Sequence, residues 1–188
     1  MSTTRERSTT RERSLRAAVR LVGGSGIRAL THTRVDAEAG LPPGSTSNHF
    51  RTRAALVAGV IEWIAQEEQA FLADATTPAT TRDEVVDAVC GVLTDLTGPH
   101  ADRTRARYAL FLEMSGDPVV QAPLRAQRGR FEEWTRGLLT GLGAQHPDAA
   151  TKAFLAFCNG LIFHRLTVDP DAPLRPTIDA AVRTCVEA

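Results

Sequence analysis

An all-α fold, with a small N-terminal three-helix domain and a larger helical domain behind it, is predicted by three features of the 188-residue sequence. Apolar residues recur at i, i+3, i+4 and i+7 in one segment after another, the period of a helix with a single buried face. Residues that open and close helices punctuate these segments. No stretch shows the apolar/polar alternation of a strand, and no hairpin signal is present. About nine helices result, with the domain boundary between residues 52 and 53 (1–52 and 53–188).

The elements follow in order. Ser2-Thr-Thr-Arg-Glu-Arg7 is repeated as Ser8-Thr-Thr-Arg-Glu-Arg13, and each copy holds a Thr-x-x-Glu capping box. Only the second copy leads into apolar periodicity (Leu15, Ala18, Val19, Val22), so the first helix is predicted to begin near Thr9 and the first copy to be a mobile basic arm. Gly23-Gly-Ser-Gly26 is expected to stop that helix, with Ile27 and Leu30 anchoring the loop. Thr33 is expected to cap a short second helix that ends at Gly40, where a left-handed residue is needed. Pro43 suits a first helical position, so a third helix is predicted over 43–50.

A long fourth helix follows from about Thr52, with Val57, Val60, Ile61, Ile64, Phe71 and Leu72 in phase. Thr81-x-x-Glu84 opens another, bearing Val85, Val86, Val89, Leu93 and Leu96, and Gly98-Pro99 closes it. Tyr108, Phe111 and Leu112 mark the next, up to Gly116-Asp-Pro118. Leu124, Phe131, Trp134, Leu138 and Leu142 mark the one after. Pro147-Asp148 opens a helix with Phe154, Phe157, Leu161 and Ile162, and a last one carries Ile178, Val182 and Cys185.

Composition excludes several classes. With 43% hydrophobic and 23% charged residues, a chain of this length buries enough core to need no disulfide or metal staple. Its three cysteines form no C-x-x-C pair and read as small hydrophobes of a reducing compartment. No apolar run approaches the roughly 18 residues of a membrane helix, and Met1-Ser-Thr-Thr-Arg-Glu-Arg7 lacks the apolar stretch of a secretory signal. A soluble cytoplasmic protein is expected, with no membrane partner. The five histidines lack metal-ligand spacing, and there is no phosphate loop, nucleophile elbow or H-E-x-x-H. Neither an enzyme nor a cofactor is expected.

Charge points to a partner. The net charge is zero, yet residues 1–56 hold ten arginines against four acids, while residues 57–188 hold twelve basic against eighteen acidic residues. A basic head on an acidic body suits a phosphate-binding head, since an evenly acidic surface repels nucleic acid. Two short helices joined at Gly40-Leu41-Pro42 behind a longer one have the layout of a helix-turn-helix DNA reader. In its second short helix Thr46 and Phe50, four apart, face the core. Ser45, Asn48 and His49 then share the outward face, with hydrogen-bonding side chains sized for base edges. Arg34, Arg51 and Arg53 flank them as phosphate contacts.

The segment from Leu30 to Leu56 resembles the N-terminal domain of the TetR family of transcriptional regulators. Ala39-Gly40-Leu41, Gly44, the His49-Phe50 pair and the ending from Arg53 to Leu56 carry the likeness. It implies that Thr33, Arg34, Pro43, Gly44, Ser45, Ser47, Asn48, His49 and Arg53 occupy DNA-contact positions. Ser47 stands where most members have a longer tyrosine, and Arg53 where many have lysine. The resemblance also implies a homodimer through the last two helices and a small-molecule cavity in the body. Ala149, Ala153, Phe157, Gly160 and Leu161 are the interface candidates on the first of these helices, with Ile178, Ala181, Val182 and Cys185 on the second. Trp63, Tyr108, Phe111, Met114, Phe131, Trp134, Asn159, Phe163 and His164 are the cavity candidates. The expected function is a repressor of a near-palindromic operator, released by a small molecule. The alternative is an all-helical small-molecule-binding or enzymatic protein with no DNA role.

Overall fold

The computed structural model describes residues 9–75, 79–114, 116 and 118–187. Nine α-helices and a 3-10 turn make up the regular structure among them, without a strand. They are α1 (Thr10–Ser25), the turn Ile27–Ala29, α2 (His32–Ala39), α3 (Ser45–His49), α4 (Arg53–Ala75), α5 (Arg82–Thr97), α6 (Ala101–Glu113), α7 (Pro118–Gly141), α8 (Pro147–Thr167) and α9 (Arg175–Glu187). The chain divides into two compact units, residues 1–65 with 102–124 and residues 66–101 with 125–188. The arm of Arg5 and Arg7 lies outside the described residues.

In the first unit, α1 starts where the second repeat predicts. The Thr9 hydroxyl accepts from the Glu12 N–H at 3.2 Å and the Glu12 carboxylate accepts from the Thr9 N–H at 2.9 Å, which satisfies two otherwise orphaned donors. Leu15, Ala18, Val19 and Val22 are all buried, in one core with Ile27, Leu30, Val35, Phe50 and the α4 residues Leu56, Val57, Val60, Ile61 and Ile64. Ala106 and Leu110 of α6 join the same core, so this unit reaches beyond the boundary at residue 52.

One expectation is sharpened here and one is corrected. The first helix does end within Gly23-Gly-Ser-Gly26, but only the last glycine is its cap, at φ 75°, and the helix runs through Gly23 and Gly24 to Ser25. Gly23 serves close packing instead: a Cβ there would stand 2.3 Å from the Asp102 carbonyl oxygen. On α6 the inward positions are Ala106 and Leu110 rather than Leu112, which is 78% exposed. Tyr108 and Phe111 are half-buried. Two residues along a helix is about 200°, so Leu110 and Leu112 take opposite sides.

The second unit is built on α5, α7, α8 and α9, with Val85, Val89, Leu93, Leu96, Leu139, Phe154, Ile162, Ile178 and Val182 in its interior. Its α5 opens on the predicted box of Thr81 and Glu84. Backbone N–H groups of Thr80 and Thr81 and their hydroxyls hold the Glu84 carboxyl down to about 2. Arg165 of α8 donates to the Thr97 hydroxyl and to the Ala172 carbonyl, and Arg175 pairs with Asp87, which ties α5, α8 and the approach to α9 together. Cys90, Cys158 and Cys185 are free thiols, and burial pushes Cys158 up to about 12.

The interface candidates on α9 also need correction. Ile178, Ala181 and Val182 are buried within their own unit, which fills its core with the apolar stripe assigned to a second copy. On α8, Ala149, Ala153, Phe157 and Gly160 do face outward. None of the described helices is long and apolar enough to cross a membrane.

Candidate nucleic-acid interface

The turn between α2 and α3 is set by two glycines. Gly40 adopts φ 60°, ψ 40°, the left-handed position that ends a helix with least strain in glycine, and the Leu41 N–H bonds back to the Asp36 carbonyl at 2.8 Å. Gly44 then caps α3 at φ 87°. The third helix therefore starts at Ser45 and not at Pro43. Pro42 supplies the turn, its carbonyl accepting from both the N–H and the hydroxyl of Ser45.

One buried carboxylate fixes where α3 starts. Asp36, 4% exposed, accepts from the Gly44 N–H at 2.8 Å, the Thr46 N–H at 2.8 Å and the Thr46 hydroxyl at 2.5 Å. Burial alone pushes its carboxyl up. The hydrogen bonds from Thr46 and Gly44, with the nearby charge of His32, outweigh that and hold it below its ordinary 3.8. Ser14 of α1, fully buried, lies 3.3 Å from the same Thr46 hydroxyl. At the other end of α3, His32 Nε2 meets the Phe50 carbonyl at 2.6 Å. The Phe50 ring packs so tightly on Gly59 that a Cβ there would stand 2.5 Å from Phe50 Cε1, and Arg11 lies over the ring at 5.5 Å.

The reading face is as the spacing predicts on one side. Thr46 and Phe50 are buried, while Ser47, Asn48 and His49 are exposed. Ser45 is half-buried and its hydroxyl is used within the turn. Ser47 also donates inward, to the Gly44 carbonyl at 2.8 Å, so Asn48 and His49 are the outward groups with free hydrogen-bonding capacity. Thr33, Arg34, Pro43, Gly44, Arg51 and Arg53 are exposed as well. Thr33 is not the cap of α2; Thr31 is, accepting from the Arg34 N–H at 3.3 Å. That leaves Thr33 in the first turn, on the outer surface. Arg53 is oriented by one bond to the Ile27 carbonyl at 2.9 Å.

Three supporting residues were not legible as such. Asp36 stands three residues after Thr33, the spacing of a local helix-start pair, yet its partners lie eight and ten residues on. His32 carried no spacing signal. Arg13 read as part of a repeat, yet its guanidinium donates to the Ala39 and Gly40 carbonyls at 2.9 and 3.1 Å and closes the C-terminus of α2.

The cavity candidates scatter. Trp63, Phe111 and Met114 pack against the core of the first unit, with Arg16 over the Trp63 ring at 5.8 Å. Tyr108 lies under Arg107 at 5.2 Å. In the second unit Phe131 and Trp134 are half-buried, and the Asn159 amide is engaged by the Leu155 carbonyl at 2.8 Å. Phe163 is 61% exposed and His164 is exposed too, because Ile162 takes the inward position of that turn. These two side chains face solvent instead of an enclosed interior.

The family model described as tetracyclin repressor-like, C-terminal domain, matches residues 80–188, more than half the chain. The chain belongs to the TetR family. It is a TetR-like, all-α transcriptional regulator, and its solved neighbours share the fold over nearly the whole length. A TetR-family member from Streptomyces coelicolor A3 is 24% identical, covering 94% of this chain and 98% of that one at a TM-score of 0.66. A TetR-family transcriptional regulator from Streptomyces coelicolor is 22% identical, covering 95% and 94% at 0.77. The multidrug binding protein EbrR, complexed with ethidium, is 24% identical, covering 95% and 99% at 0.62. At these identities the likeness is one of fold. Comparison with curated protein sequences gave no significant match.

Proposed function

We propose that this TetR-family protein is a cytoplasmic, ligand-responsive repressor that binds a near-palindromic operator as a homodimer. One observation carries the reading: α3 presents Asn48 and His49 outward while Asp36 and Thr46 hold it from behind. Such a helix suits a major groove, where an Asn amide pairs with both acceptor and donor of adenine. One short helix reads few base pairs. Two of them spaced by about 34–36 Å, one turn of DNA, supply the specificity.

The exposed face of α8, with Ala149, Ala153, Phe157 and Gly160, supports self-association, since small residues let two helices approach closely. An effector is supported by EbrR, which holds ethidium. A ligand releases DNA only by its differential affinity for two conformations, about 1–3 kcal/mol of coupling.

Selection of bound sequences from a random duplex pool tests the reading, and recovery of no enriched motif would remove it. On the enriched duplex, Asn48→Ala is expected to weaken binding by about 1–3 kcal/mol and to leave a scrambled duplex unaffected. Gel shifts on the two duplexes check this. Arg51→Ala and Arg53→Ala are each expected to weaken every duplex and to lower the slope of log affinity against log salt by about one. An unaltered slope from a salt titration would mean that the guanidinium meets no phosphate.

A further inference from the structure

We propose that His32 is a positioning residue for the reading helix, holding the carbonyl at its C-terminal end so that Asn48 and His49 meet the groove at a fixed angle. The inference rests on the DNA-reading role proposed above. With five residues, α3 is little more than one turn, and a helix so short has no stability of its own. Its direction must come from its neighbours.

At the N-terminal end Asp36 grips two N–H groups and a hydroxyl. The last carbonyls of a helix have no partner within it. The Phe50 carbonyl, just past α3, finds one in His32 Nε2 at 2.6 Å. A carbonyl oxygen only accepts, so Nε2 is the donor of this bond. His32 and Asp36 stand four apart on α2 and therefore on one face of it. A single helix thus takes hold of the reading helix at both ends, 18 residues apart in sequence for the histidine grip. The ring of Phe50, against Gly59 and under Arg11, braces the same end from α4 and α1.

Geometry makes the second grip matter. Five residues span about 7.5 Å. A swing of about 10° around the Asp36 end moves the far end by about 1.3 Å, enough to turn a hydrogen bond to a base edge into none. Phosphate contacts by long arginines tolerate such a swing, so losing His32 reduces discrimination more than affinity for DNA in general.

The experiment uses the full chain, duplexes that the wild type selects from a random pool, and scrambled duplexes of equal length. His32→Ala is expected to weaken the selected duplexes about tenfold and the scrambled ones by less than about twofold. His32→Gln sets an amide N–H near the position of Nε2 and is expected to return binding to within about threefold of wild type. Amide hydrogen exchange at Asn48 and His49 is expected to quicken in the alanine variant, with Val19 and Val22 of α1 unchanged. Equal weakening of both duplex classes, glutamine behaving like alanine, or unchanged selectivity would each overturn the positioning role. A wild type that selects no duplex would instead remove the DNA-reading role, and this proposal with it.

Discussion

Replacing Asp36 by alanine is expected to destabilise the N-terminal unit by about 3 kcal/mol and to abolish specific DNA binding. The carboxylate is buried and makes three hydrogen bonds, all to the start of α3. Its removal leaves the Gly44 N–H, the Thr46 N–H and the Thr46 hydroxyl without the acceptor that directs them, and a buried donor left unpaired costs its full desolvation. Asp36→Asn keeps the shape and one acceptor oxygen, so its effect should fall between alanine and wild type. Urea unfolding followed by tryptophan fluorescence measures this by unit, because Trp63 lies in the first and Trp134 in the second. A midpoint equal to wild type, or retained sequence selectivity, would show that α3 is held by something else.

The same group sets a pH dependence. Its folded pKa is below 3.8, so the carboxylate is the form that folding favours. The stabilisation is complete above the unfolded value and is lost as pH falls through the folded one. Between pH 5 and 8 Asp36 contributes no slope. Unfolding midpoints of wild type and Asp36→Ala should therefore converge below about pH 4 and stay parallel above pH 5.

What the sequence discloses is what local periodicity and end-signals encode. Thr9 with Glu12 and Thr81 with Glu84 read correctly as helix starts because both partners lie within one turn. Gly40 read correctly because a helix end needs a left-handed residue. The outward placement of Asn48 and His49 followed from the inward placement of Thr46 and Phe50, four apart. The losses share a cause. Asp36, His32 and Arg13 act on partners 8 to 27 residues away, and no short pattern contains both ends of such a contact. The stripe of Ile178, Ala181 and Val182 was legible as apolar, yet periodicity gives the existence of a buried face and not which surface buries it. Gly24 and Gly23 look identical in sequence, and only packing separates them.

That pair supplies the other large expected effect. Both glycines lie inside α1, where alanine normally stabilises by about 1 kcal/mol because glycine gives up more backbone freedom on folding. At Gly24 nothing lies within 4 Å of an added Cβ, so Gly24→Ala should gain stability by up to that amount. At Gly23 the added carbon would stand 2.3 Å from the Asp102 carbonyl oxygen and 3.0 Å from its carbonyl carbon. The obstacle is backbone at the start of α6, not the end of a flexible side chain, so relief requires moving one helix off the other. Forced overpacking of this kind costs about 1–3 kcal/mol, occasionally more, which outweighs the propensity gain and reverses the sign. Adjacent residues with the same substitution should thus shift the thermal midpoint in opposite directions, Gly24→Ala upward and Gly23→Ala downward. Ala106 and Leu110, which α6 contributes to the core that also holds Phe50 at the end of the reading helix, would shift with it, so Gly23→Ala should also lower DNA affinity where Gly24→Ala does not. Two variants that both gain stability would mean that α1 and α6 are not held in this contact in solution.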